Sequence, residues 1–140
     1  MNRKIVAFVV FELVAFSAGA LMAAKPDIAP ADRVVVMYFH RTQRCPTCLK
    51  MGGYTEEAVK AGFAQELKDG KVEFHFIDFQ DKRNEALTKG YQVEGPTLIV
   101  AKVVANKVAS RKNLDEMWTK VRDKGAFIEY VQDNVKESMK

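Results

Sequence analysis

Cys45 and Cys48 are the only cysteines in this 140-residue chain, and Pro46 and Thr47 separate them. A structural disulfide framework uses more cysteines at wider spacing. Closing so short a loop removes little chain entropy, so a bridge here is a weak staple. A pair this close can instead cycle between dithiol and disulfide through thiolate attack. The flanking residues supply the setting. Val34 to Phe39 is a β-branched and aromatic run that reads as a buried strand. His40 to Arg44 reads as a polar loop, and Cys45-Pro46-Thr47-Cys48 opens a helix. Pro46 suits its first turn, where a missing N–H is no loss. Backbone N–H groups at a helix start favour an anion and lower a thiol pKa. Arg44 and Arg41 add positive charge nearby. Cys45 is therefore the expected nucleophile. Cys48, one turn on and on the same face, is the expected resolving thiol and the less exposed of the two.

Other uses of the same residues stay open. Cys45 and Cys48 with His40 could hold copper or zinc in a metal-delivery module. An inert cysteine pair would leave a redox-silent docking subunit. His40 lies near the site and is a candidate proton shuttle, or simply a loop histidine.

The elements that must position this site follow along the chain. Gly52-Gly53 should weaken or kink the first helix, and Thr55 suits the N-cap of a second stretch, Glu56 to Leu67. Val72 to Phe79 reads as a strand with Val72, Phe74 and Phe76 on one face. Asp81 can cap a short helix ending near Gly90. Val93-Glu94-Gly95-Pro96-Thr97-Leu98-Ile99-Val100 reads as a proline turn entering a buried strand. A strand pair follows, turning at Ala105-Asn106-Lys107. Asn113 and Glu116 have capping-box spacing for a helix through about Lys124. After Gly125, Phe127, Tyr130, Val131, Val135 and Met139 lie at helical spacing. His75 reads as a structural strand residue, and Trp118 and Tyr130 as packing residues. The expected order is strand, helix, strand, helix, strand, strand, helix.

Taken together, the strand, the Cys-x-x-Cys at a helix start and the later Gly95-Pro96-Thr97 resemble the thioredoxin superfamily, from about Arg33 to the carboxyl end. The resemblance implies an α/β thioredoxin-like fold with a central mixed β-sheet flanked by helices. It implies a cis Gly95–Pro96 bond beside the cysteines. A substrate chain would pair along Gly95, Pro96 and Thr97, with Gly95 leaving space for its approach. The working group would be the Cys45–Cys48 disulfide, without an organic cofactor. The partners would be protein dithiols or disulfides, plus a further partner that resets the pair. Tyr38 to Met51 is similar to a small group of exported bacterial thioredoxin-like proteins labelled a nitrophenyl compound nitroreductase subunit family; only fold and cysteine pair carry over. Arg44 stands where thioredoxins have tryptophan, and Pro46-Thr47 replaces Gly-Pro, nearer the glutaredoxin pattern. Tyr38, Phe39 and His40 occupy the region of the family's buried aspartate. These departures bear on redox potential and proton path rather than on fold.

Residues 1–24 read as a secretory signal peptide or signal anchor: Arg3 and Lys4, then an apolar run from Ile5 to Leu21, then small residues. Glu12 and the shortness of the run argue against a spanning helix. Residues 25–33, with Pro26 and Pro30, read as a linker, and 34–140 as one domain, a size that fits a single core and an expected monomer. The expected location is the periplasm or the outer face of the cytoplasmic membrane, with membrane contact only through an uncleaved amino-terminal segment. Acidic and basic residues interleave despite a net charge of +4, with no basic stripe carrying aromatics, so nucleic acid is not an expected partner.

Overall fold

The structure, a computed structural model, describes residues 29–140. The expected signal segment and residues 25–28 of the expected linker lie outside the described residues.

The run of β-branched and aromatic residues forms the central strand, β1 (Arg33–His40), with β2 (Val72–Asp78) parallel on one side. On the other side β3 (Thr97–Val104) runs antiparallel to β1, and β4 (Lys107–Asn113) runs antiparallel to β3. The order is β2-β1-β3-β4, a mixed four-stranded sheet. Ala105 and Asn106 join β3 to β4 with φ of 51° and 61°, the left-handed pair a tight hairpin requires.

Period-two alternation sends the side chains of β1 to opposite faces. Val34, Val36 and Tyr38 join the larger core with Leu98, Val100, Phe127, Val131 and Val135. That face is covered by α1 (Pro46–Gly62) and α5 (Lys124–Met139). Each such buried side chain contributes about 1.5–3 kcal/mol of transfer free energy. Met37, Phe39, Ile77, Ile99 and Ala101 form a second cluster, with Phe79, Tyr91 and Val93 packed against it. α3 (Glu85–Gly90) precedes Tyr91, and a single 3₁₀ turn (Lys82–Asn84), capped by Asp81 through Arg83 N–H at 2.9 Å, leads into it. Each residue of β4 is exposed, and Lys107, Arg111 and Lys112 lie along it. This is the α/β, thioredoxin-like arrangement expected, with helices flanking a mixed sheet.

Three local expectations give way to tertiary context. The first helix does not end at Gly52-Gly53, and Thr55 does not cap a second one: α1 runs unbroken to Gly62, and the buried Thr55 hydroxyl donates to Met51 O at 2.7 Å. Gly52 is used for close approach instead. A Cβ there would stand 3.0 Å from ring carbons of both Tyr38 and Phe76, whereas one at Gly53 would meet nothing. The break falls at Phe63, whose buried ring separates α1 from α2 (Ala64–Lys68).

Asn113 and Glu116 form no capping box. Asn113 ends β4, and Leu114 N–H extends the ladder to Leu98 O at 2.8 Å, so only a short α4 (Met117–Lys120) follows. Asp123 caps the last helix, accepting from Ala126 N–H at 3.1 Å, so Gly125 falls in its first turn rather than before it. Trp118 is 46% exposed and not a core residue. Tyr130 does pack on the core, with Lys120 over its ring. His75 is exposed and contacts Glu73 at 2.9 Å. Among the described residues no helix is long and apolar enough to cross a membrane.

Candidate functional site

The loop after β1 delivers Cys45 as the N-cap of α1 with extended backbone, and Pro46 takes the first helical position. Cys45 O accepts the first helical bond, from Leu49 N–H at 2.9 Å. Its Sγ takes the role a serine or aspartate oxygen has in other caps, accepting Cys48 N–H at 3.1 Å. The two cysteines form a disulfide, with Cα atoms 5.0 Å apart. Their environments differ: Cys45 and its neighbours Pro46 and Thr47 are exposed, whereas Cys48 is 6% exposed. The carbonyl of Cys48 accepts the Tyr38 hydroxyl at 2.9 Å. Burial raises the Tyr38 pKa to about 12, opposed by the nearby Arg44 charge, so this phenol remains a donor near neutral pH.

His40 is not a loop residue. It ends β1, 7% exposed, on the face it shares with Tyr38. Nδ1 donates to Arg41 O at 2.8 Å, and Nε2 lies 2.6 Å from Arg44 Nη2. Arginine can only donate, so the network assigns the ring proton to Nδ1 and makes Nε2 an acceptor. The Arg44 guanidinium also lies over the Phe76 ring, 4.8 Å from its centroid. A cleft of about 570 Å³ opens beside the exposed sulfur, lined by Arg41, Gln43, Arg44, Cys45, Pro46 and Gln80. At its edge Thr42 N–H donates to Gln80 Oε1 at 3.0 Å. Asp78 accepts from Gln80 N–H at 2.9 Å. Its carboxyl is held below the usual range, first of all by a hydrogen bond from Thr42.

Gly95, Pro96 and Thr97 lie on the other side of β1. Thr97 opens β3 and pairs with Phe39, one residue before His40, so the turn belongs to the same end of the sheet as the cysteines. It does not line the cleft. The expected cis Gly95–Pro96 bond is absent: there is no cis peptide among the described residues. Gln92, just past α3, has φ 55°, Val93 N–H closes that helix end on Thr88 O at 3.0 Å, and Thr97 Oγ1 donates to Gly95 O at 2.8 Å. The trans form is the one an X–Pro bond ordinarily favours, by about 0.5–1 kcal/mol. A Cβ on Gly95 would meet nothing within 4 Å.

Phe76 as a support for Arg44, Gln80 as part of the cleft and Gly52 as a contact point are not evident in the residues alone. Alternation did place Phe76 on the face of Val72 and Phe74; its pairing opposite Tyr38 is a tertiary fact. Among the described residues no group of three or more His, Cys, Asp or Glu side chains is arranged to hold a metal.

No family model matches the chain, and no curated protein sequence matches it. Solved structures do. A structure of a malarial protein is 21% identical, with TM-score 0.44, over 69% of this chain and 94% of that one. Tryparedoxin II from C. fasciculata is 21% identical, with TM-score 0.42, over 67% of this chain and 73% of that one. The fold assignment rests on the strand order and connections described above.

Proposed function

We propose that this chain is an exported thiol–disulfide oxidoreductase that exchanges the Cys45–Cys48 dithiol and disulfide with protein partners. The observation that carries the reading is the unequal exposure of two bonded cysteines at one helix start, Cys45 open to solvent and Cys48 6% exposed. In the reductive direction Cys45 thiolate attacks one sulfur of a substrate disulfide. A mixed disulfide forms and the other substrate sulfur leaves as thiolate. Cys48, losing its proton to solvent, attacks Cys45 Sγ, closes the Cys45–Cys48 bond and releases the second substrate thiolate. Two electrons pass from the protein dithiol to the substrate; the oxidative direction reverses each step. The amino-terminal segment supports the exported location, where disulfides persist.

Trapping tests the reading. Cys48→Ser should accumulate mixed disulfides with partner proteins on non-reducing gels, because nothing resolves them. Cys45→Ser should accumulate almost none. Equal trapping by both variants, or none by either, contradicts the assignment.

A further inference from the structure

We infer that the cleft beside Cys45 selects disulfides bearing a carboxylate next to the bridge, with Arg44 reading that charge and His40 and Phe76 as positioning residues. The inference rests on the exchange reading above and names its substrate class. The cleft contains two arginines and no carboxylate. Among the described residues neither Arg41 nor Arg44 has an acidic partner within ion-pair distance. The nearby acids are engaged: Asp78 with Thr42 and Gln80, Asp81 with Arg83.

Arg44 is nonetheless not free to wander. Phe76 supports the guanidinium from below, and His40 Nε2 accepts one of its N–H groups at 2.6 Å. His40 is itself oriented through Nδ1 to Arg41 O. Both supports are neutral, so they fix the guanidinium without cancelling its charge. A held arginine loses less freedom on meeting a carboxylate, and it retains donors for a forked contact. A lysine, lacking the flat fork, would not be held in this way. The charge also favours thiolate at the adjacent Cys45, so one side chain serves both the nucleophile and the choice of disulfide. The carboxylate could come from an acidic protein segment or from a small acid.

Stopped-flow oxidation of the reduced full chain separates these points. The probes are symmetric disulfides of Ac-Xaa-Cys-Xaa-NH₂ with Xaa Glu, Gln or Lys, plus 3,3′-dithiodipropionate and its neutral hydroxyethyl counterpart. Each rate is divided by that of dithiothreitol with the same disulfide, which removes differences in leaving thiol. The Glu peptide should exceed the Lys peptide about tenfold at low ionic strength, with the ratio falling as salt is added. Arg44→Gln should bring the ratio close to one. His40→Gln and Phe76→Leu keep the charge but release it, and should at least halve the ratio. Lys136→Gln, on the last turns of α5, should leave it unchanged. A preference for the small acid over its neutral counterpart as large as that of the peptides means that charge is read from either source. A larger preference among the peptides assigns it to an acidic segment. A wild-type ratio near one, or a ratio that survives Arg44→Gln, overturns the inference while exchange itself stands. Failure of the reduced chain to outpace Cys45→Ser with every disulfide overturns the exchange reading and this inference together.

Discussion

Arg33 and Arg44 stand at opposite ends of β1, and their surroundings differ in kind. Arg33 opens the strand with Nε 2.7 Å from the Glu73 carboxylate, while one N–H group reaches Pro30 O and Asn106 Oδ1, each at 3.0 Å. Its charge is matched by an acid on β2, and its bonds tie the strand start to the β3–β4 turn. Arg44, beyond the other end, rests on an aromatic face and a neutral imidazole. A third arginine sharpens the contrast. Arg83, also past the carboxyl end of β2, is matched by Asp81 through Nε and Nη2. The arginines that open β1 and follow β2 thus meet an acid, whereas Arg44 beside the exposed sulfur is held by neutral groups alone.

The largest expected effect strikes the platform under Arg44. Gly52→Ala places a methyl 3.0 Å from the Tyr38 and Phe76 rings and should cost about 1–3 kcal/mol in urea unfolding. Gly53→Ala, with open space at its Cβ, should be neutral or gain up to about 1 kcal/mol. Equal effects at the two positions would remove the case for a close helix–sheet contact at the site.

Glu73→Gln comes next. It leaves the half-buried Arg33 without its acid and should cost about 1 kcal/mol, less than a fully buried pair would. The alkylation rate of reduced Cys45 should remain within about twofold of wild type, because screening weakens charge effects over the length of the strand. A large change in that rate would mean that the two ends are not electrically separate.

The smallest effect concerns Asp81, whose pKa is lowered to about 2, chiefly by its hydrogen bonds with Arg83. A carboxyl lowered in the folded state stabilises above its unfolded pKa and loses that contribution as pH falls through the folded one. The wild-type melting temperature should therefore fall more steeply than that of Asp81→Asn between about pH 4 and pH 2. At neutral pH the two should differ little, since an exposed pair contributes little. Parallel curves would show that Arg83 is not matched as described.

Much of this was legible in the sequence because the governing forces are local. The β-branched run, the Pro46 helix start, the Asp81 cap and the Ala105-Asn106 turn each declare themselves within a few residues. The order of strands and helices and the unequal exposure of the cysteines followed from them. What escaped depends on partners far along the chain. Gly52-Gly53 looks like a weak point until Tyr38 and Phe76 are seen against it. Asn113 and Glu116 have the spacing of a cap, but the pairing of Leu114 with Leu98 claims the backbone first. His40 looks polar and loop-like until Arg44 and Arg41 O satisfy both ring nitrogens. Pro96 carried a cis expectation from family likeness alone, with no local signal in the residues behind it, and the bond is trans.

The outer strand β4 has a further consequence. Its row of unpaired backbone groups is a template on which another strand could grow. Lys107, Arg111 and Lys112 lie on that strand, Arg111 bonded to Gly90 O and Lys112 3.6 Å from Glu137, and the strand carries no acidic residue. Two copies meeting margin to margin would bring like charges together, which opposes their pairing. The lysines and the arginine of β4 thus act as gatekeepers against aggregation. Exchanging them for threonine or isoleucine would leave the interior untouched while making the molecule prone to fibrous self-assembly.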